Sequence, residues 1–255
     1  MTAALDLTDL SIRFGGIKAV DGVSVSIAPG EFVGMIGPNG AGKTTLIRII
    51  AGILRPDSGE VRLSGVAVTQ QGTAARVRMG LALTHQIVRP FREMSVLENV
   101  VLAAGHRWTA SPWRALLHVA RDDEIDVAME VLARVGLEGS EHKPAGSLPL
   151  GQLKRLELAR ALAMKPAVVL LDEPLAGLNQ TEAMKQAEAI ATINQGGVTV
   201  VLVEHNLEQI IRVCRRLVVL HGGRIIANGD PRKVIADPAV REAYIGAGKE
   251  THAEA

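Results

Sequence analysis

The run Gly37-Pro38-Asn39-Gly40-Ala41-Gly42-Lys43-Thr44 constrains this chain more than any other feature. It fits G-x-x-x-x-G-K-[ST] and stands between an apolar run, Phe32–Ile36, and a segment, Thr44–Ile53, rich in Leu and Ile. That context is a buried strand, a glycine turn and a helix. The glycines let successive backbone N–H groups converge on phosphate oxygens with no Cβ in the way. The helix behind them adds the positive end of its dipole. Lys43 supplies a point charge for β- and γ-phosphates, and the Thr44 hydroxyl a ligand for Mg²⁺. The helix is expected to reach about Ile53, with Gly52 and Pro56 marking its end.

A second element lies far along the chain. Val168-Val169-Leu170-Leu171-Asp172-Glu173-Pro174 reads as a buried strand that ends in two carboxylates. Asp172 at the strand tip can hold Mg²⁺ directly or through water. Glu173, one residue on, can polarise an attacking water. The run Val198–Val203 likewise ends in Glu204-His205, and His205 at a strand's carboxyl end is a candidate for the same crevice.

Between these elements the patterning changes. Residues 5–36 and 60–68 read as short strands broken by Gly15-Gly16 and Pro29-Gly30. From Ser95 the spacing is helical: Ser95 with Glu98 predicts a capping box. Ile125, Ala128, Met129, Leu132 and Val135 predict a buried helix face behind Asp122 and Asp123 as cap. Gly151–Met164 is apolar on nearly every side, as a mostly buried helix would be. After Pro166 strands return at Ala167–Leu171, Val198–Val203 and Leu217–Leu220, with helices at about 180–194 and 207–214. The class is therefore α/β, with a helical lobe at roughly 87–164 inserted into the core.

Composition excludes several functions. With Lys+Arg 28 against Asp+Glu 27 the formal charge is +1, too little for an overall grip on nucleic acid. Aromatic residues are 2% of the chain, which removes stacking platforms for single strands. One cysteine, Cys214, allows no disulfide framework and is expected to be packing. The apolar runs are strand-sized, and the N-terminus MTAALDLTDL has no basic region and no long apolar run. A cytoplasmic chain is the expectation.

Taken in order, the set resembles the ATP-binding subunit of an ATP-binding-cassette (ABC) transporter over about residues 5–245. That resemblance implies a P-loop NTPase of ABC ATPase type, with a mixed sheet core, an antiparallel β subdomain and an inserted helical subdomain. It implies one domain over 1–246, with the core at 1–86 and 165–246, the helical subdomain at about 87–164 and a flexible tail at 247–255. Phe14 resembles the aromatic that stacks on adenine, and Thr45 extends the ATP-binding loop Gly37–Thr44. Gln86 resembles the glutamine that touches Mg²⁺ and water. Asp172, Glu173 and His205 match the metal aspartate, the catalytic glutamate and the switch histidine. Leu148-Pro149-Leu150-Gly151-Gln152 stands where the family carries L-S-G-G-Q, and Ala176-Gly177-Leu178-Asn179 where its D-loop falls.

The resemblance further implies ATP and Mg²⁺ as ligands and a head-to-tail dimer with a second cassette, identical or not. In that dimer Pro149, Leu150, Gly151 and Gln152 act in trans on the partner's nucleotide. Integral membrane permease subunits, and through them a solute-binding protein, complete the assembly on the inner face of the cell membrane. Gly34–Thr45, Arg155–Leu162, Val203-Glu204-His205-Asn206, Asp237–Gly246 and an extra segment at about 105–122 resemble ATPases of branched-chain amino acid uptake. Trp108 and Trp113 in that segment either contact a membrane partner or pack the helical lobe. Two positions depart from the family: Pro149 replaces the signature serine, and Asn179 the usual D-loop aspartate. Proline offers neither a hydroxyl nor a backbone N–H to a γ-phosphate, so weakened rather than abolished hydrolysis is expected.

Overall fold

The computed structural model describes residues 2–84, 89–106, 121–204 and 207–250, and their side chains except at 207–209 and 245–250. The N-terminal part gives β1 (Leu5–Phe14), β2 (Ile17–Ile27), β3 (Phe32–Ile36), α1 (Lys43–Ile50), β4 (Ser58–Leu63), β5 (Val66–Ala67), α2 (Thr73–Arg78) and β6 (Leu81–Thr84). Helices α3 (Val96–Ala104), α4 (Asp122–Arg134) and α5 (Leu150–Ala163) follow. The chain continues through β7 (Val168–Asp172), α6 (Gln180–Gln195), β8 (Thr199–Val203) and α7 (Leu207–Val213). It closes with β9 (Arg216–His221), β10 (Arg224–Gly229), α8 (Pro231–Ala236) and α9 (Pro238–Glu250).

Two sheets result. An antiparallel one has the order β2-β1-β4-β5, and a six-stranded one the order β10-β9-β3-β8-β7-β6. In the larger sheet β9, β3, β8, β7 and β6 run parallel and only β10 is antiparallel, so the sheet is mixed. β3 lies in its middle and is buried at all five residues, which places the loop after it at the carboxyl ends of the parallel strands.

Side chains alternate across the large sheet, and that period of two divides the interior into two cores. Val33, Met35, Val168, Leu170, Val201 and Val203 join α1 and the antiparallel sheet. Phe32, Val169, Leu171, Val200 and Leu202 join the helices of the other face, with Val96, Val131 and Leu156 of the helical region in the same cluster. Gly34 sits on that second face because nothing larger fits: a Cβ there would lie 2.9 Å from Cys214 Sγ and 2.9 Å from Ile210 Cγ2. Cys214 is buried, as expected of a packing residue, and burial pushes its thiol pKa far above the usual range.

The first core is tied to the antiparallel region by a buried cation. Arg76 on α2 is fully buried. Its guanidinium donates to the carbonyls of Ile49 (2.7 Å), Ile50 (2.7 Å), Gln71 (3.0 Å) and Thr69 (3.1 Å). Ile49 and Ile50 end α1, where the helix leaves carbonyls without intrahelical donors and its dipole favours a positive charge.

Several expectations need correction. α1 ends at Ile50, not at about Ile53: Gly52 takes φ 74, and the amides of Ile53 and Leu54 fold back onto the Arg48 carbonyl. Asp122 and Asp123 lie inside the first turn of α4, and Arg121 occupies the cap without a side-chain bond. The buried face of α4 is Glu124, Ala128, Val131 and Leu132, whereas Ile125 and Met129 are 38% and 43% exposed. α9 runs to Glu250, so it extends into the segment 247–255 expected as a tail. The Ser95–Glu98 capping box is present, with Glu98 N bonded to Ser95 Oγ at 3.1 Å and Ser95 N to the Glu98 carboxylate at 2.6 Å. Trp108 and Trp113 lie outside the described residues.

Candidate nucleotide site

The turn from β3 to α1 is held open by backbone conformations that only glycine takes cheaply. Gly37 has φ 155 and Gly42 φ 101, and a Cβ on either would come within 2.2 Å of a carbonyl, Leu220 O or Ala19 O. The loop therefore nests directly against β9 and β2. Asn39, Gly40, Ala41, Gly42, Lys43, Thr44 and Thr45 line a cavity of about 250 Å³ together with Ala19 and Glu173. Lys43 is buried, and its ammonium donates to Gly37 O (2.7 Å) and Pro38 O (2.9 Å). Burial lowers the Lys43 pKa, and the carboxylates of Glu173 and Asp172 work against that shift. The phosphate-loop lysine and the two carboxylates, 129 to 130 positions apart by their numbering, thus share one electrostatic neighbourhood.

Glu173 reaches the cavity through a strained turn. It follows the last residue of β7, has φ 52, and precedes Pro174. A left-handed conformation is costly for a residue with a Cβ, of order 1–3 kcal/mol, and must be held by its surroundings. The Glu173 amide donates to Val203 O of β8 at 2.9 Å. Its carbonyl accepts from Lys154 Nζ at 2.9 Å and from the Ala176 amide at 3.3 Å. Without the left-handed turn the carboxylate would continue the alternation of β7 and leave the loop.

The signature stretch is elsewhere. Pro149 is the N-cap of α5, exposed and without a side-chain cap bond, so the first-turn amides of that helix have no side-chain acceptor. Leu150 is 45% exposed, Gly151 is buried and Gln152 half-buried. None of the four lines the phosphate-loop cavity. Two of them border the D-loop and the start of α6: a Cβ on Gly177 would meet Leu150 Cδ2 at 3.2 Å, and one on Gly151 the Glu182 carboxylate at 2.9 Å. Asn179 caps α6, accepting from the Glu182 amide at 2.9 Å while its own amide donates to the Glu182 carboxylate at 3.3 Å. An amide at this position thus serves as a helix cap as well as a carboxylate would.

Phe14 ends β1 in the hairpin with β2, is 51% exposed, and does not line the cavity, although Ala19 of the paired strand does. Gln86 and His205 lie outside the described residues. Sequence reasoning passed over three neighbours of the site. Lys154 and Glu204 are buried beside the Glu173 turn, where Glu204 accepts from the Leu175 amide at 2.7 Å. Tyr244 of α9 faces the Gly37 backbone, and burial pushes its phenol pKa up to about 12. α9 also walls a second cavity of about 580 Å³ on the loop's other side, lined by Pro38, Asn39, His221 and Glu242 among others.

The ABC transporter family matches residues 20–176, the stretch that holds the phosphate loop, the signature position and the Glu173 turn. The chain belongs to the ABC transporter ATP-binding family. A second family, the branched-chain amino acid ATP-binding cassette transporters, matches residues 224–250, which are β10 through α9. This ABC cassette is 36% identical over 248 residues to the high-affinity branched-chain amino acid transport ATP-binding protein LivG of Escherichia coli K12, covering 95% of this chain and 97% of that protein. It is also 36% identical over 224 residues to the lipopolysaccharide export system ATP-binding protein LptB of Acidithiobacillus ferridurans, covering 88% and 89%. Its fold matches the ADP conformation of MJ1267, an ATP-binding cassette of an ABC transporter, with TM-score 0.85, 32% identity and coverage of 96% and 100%. The cassette binds adenine nucleotide and hydrolyses ATP for transport.

Proposed function

We propose that this cassette powers an importer for branched-chain or related amino acids. The observation that carries the reading is the match of residues 224–250 to the branched-chain family, because that segment is α9 with the strand and helix before it and walls the phosphate loop. It is joined by the nearly full-length likeness to a branched-chain amino acid ATPase. A second reading, another cargo for the same ATPase, is favoured by the equal identity to a lipopolysaccharide export protein. Urea, amides and aromatic acids belong to that second reading too.

The residues present fit a nucleotide with Mg²⁺. The loop amides and Lys43 form the phosphate cradle, and Thr44 and Glu173 line the same cavity. Thr44 and Asp172 offer the hard oxygen donors that Mg²⁺ takes, with Gln86 as a further oxygen from the resemblance. When bound, Mg²⁺ neutralises charge on the β- and γ-phosphate oxygens. For Lys43 to meet a phosphate, its ammonium must leave the Gly37 and Pro38 carbonyls, an exchange of neutral acceptors for an anion. Glu173, brought to the lining of the loop cavity beside its left-handed turn, is the base that takes the proton of the attacking water. His205, two positions after β8 in the sequence, assists, and Phe14 stacks on the adenine.

In this reading the α5 N-terminus, which does not line its own phosphate-loop cavity, serves the nucleotide of a second cassette in a head-to-tail dimer. Pro149→Ser returns a hydroxyl donor to that end. Turnover is expected to rise about tenfold, as a charge-assisted hydrogen bond of about 1.5–3 kcal/mol would allow. Pro149→Ala is expected to stay near the wild-type rate. An unchanged Pro149→Ser rate, or collapse of Pro149→Ala, contradicts this role in a steady-state ATPase assay.

Among the described residues no helix is long and apolar enough to cross a membrane. In this reading, attachment to the inner face of the cell membrane runs through permease subunits, as the family assignment suggests. Affinity isolation of the tagged chain from gently solubilised membranes should bring down two multi-span proteins, a second cassette and a solute-binding protein whose ligand names the cargo. Recovery of a lipopolysaccharide-handling assembly instead establishes the second reading.

A further inference from the structure

Lys154 is the fifth residue of α5, five positions after Pro149, and is 6% exposed. A buried ammonium is costly unless its charge and donors are met. Burial lowers its pKa, and the carboxylates of Glu204, Glu157 and Glu173 oppose that shift. Its one hydrogen bond described here goes to the Glu173 carbonyl, at 2.9 Å. Glu204, 3% exposed and directly after β8, spends one carboxylate oxygen on the Leu175 amide at 2.7 Å. The two buried charges therefore grip the same short turn, one at residue 173 and the other at residue 175. That turn is the one whose φ of 52 at Glu173 has to be held against its own strain.

We propose that Lys154 and Glu204 are positioning residues that together clamp the Glu173 turn and tether it to α5, the helix that faces the partner's nucleotide. The proposal rests on the reading of Glu173 as the base and of α5 as the trans element. Lys154 is on α5, so a shift of that helix on engaging the partner's nucleotide is carried to the Glu173 carbonyl through one rigid hydrogen bond. Glu204 does not move with α5. It adjoins β8, whose Val203 carbonyl also holds the Glu173 amide, and gives the turn a fixed anchor. The carboxylate of Glu173 is then set by the relative position of α5 and β8, and one ATP site reports its closure to the other.

The test is steady-state ATP turnover of the full chain, purified with its bound subunits, alongside nucleotide affinity and melting temperature. Lys154→Met removes the donor with little change of volume; kcat should fall at least tenfold while KM and the dissociation constant for a fluorescent ADP stay within twofold. Lys154→Arg keeps a donor and a charge and should recover at least half of the lost kcat. Lys154→Met alone removes a positive charge that acts on buried Glu204 and should lower the melting temperature. The double variant Lys154→Met/Glu204→Gln removes both charges, and should regain that melting temperature while kcat stays low. A Lys154→Met kcat within twofold of wild type overturns the clamp, as does a double variant whose kcat returns with its stability. Glu173→Gln, run in parallel, separates the two levels. If it turns over like wild type, the catalytic reading falls; if it is inactive while Lys154→Met is normal, only the clamp falls.

Discussion

Glu173→Gln is expected to reduce ATP turnover by about 10²–10⁴-fold, the usual contribution of a positioned general base. Nucleotide affinity should hardly change, because the phosphate cradle is made by loop amides and Lys43, not by this carboxylate. The turn should survive, since its bonds run through the Glu173 backbone: the amide to Val203 O and the carbonyl to Lys154 and Ala176. Glutamine fills the same volume without a base, so the variant should bind ATP and stop there. Gel filtration with ATP and Mg²⁺ should then show a dimer that wild type, by hydrolysing, does not accumulate. A variant that turns over within threefold of wild type, or that remains monomeric with ATP, would remove Glu173 from the role of base.

The second large effect falls on stability. Arg76→Ala should cost about 3–5 kcal/mol of unfolding free energy, through a cavity in a packed region and the loss of donors to buried carbonyls. Four carbonyls are involved, two of them at the end of the helix that begins with Lys43. Arg76→Lys keeps the charge but cannot reach four acceptors arranged around a planar fork, and should recover only part of the loss. Urea unfolding measures both. A loss below about 1 kcal/mol for Arg76→Ala would mean that water replaces the guanidinium, and that the site is not a buried one in solution.

Arg76 also illustrates where sequence reading stops. In Ala-Ala-Arg-Val-Arg-Met a basic residue looks like a solvated face, and only the carbonyls at the end of α1, which it reaches across the fold, show why it is buried. The same holds for Lys154 and Glu204, which carry no local pattern: a lysine on a helix and a glutamate before a histidine are ordinary until the helix and strand meet at Glu173. The rotated face of α4 has a related cause. Ile125 and Met129 satisfy the helical period, yet the helix turns Glu124, Ala128, Val131 and Leu132 to its neighbours.

The chemistry-bearing residues were legible because their requirements are local. A phosphate loop needs glycines at the fixed spacing of Gly37, Gly40 and Gly42, then Lys43 and Thr44, and a strand–turn–helix context written into a few consecutive residues. The strand before Asp172 and Glu173 announces itself by a short, unbroken apolar run. These set the fold class, the nucleotide and the order of the parts. Tertiary structure alone decided how the parts bear on one another: that Glu173 shares a cavity with Thr44, that Pro149–Gln152 do not line it, and that buried Lys154 and Glu204 each bond to the Glu173–Leu175 turn. Those relations join segments 19 to 129 positions apart, Lys154 with Glu173 at the short end and Thr44 with Glu173 at the long end, and no pattern of neighbours along the chain encodes such a contact. Burial of apolar surface brings the segments together, and only then do the charges acquire partners.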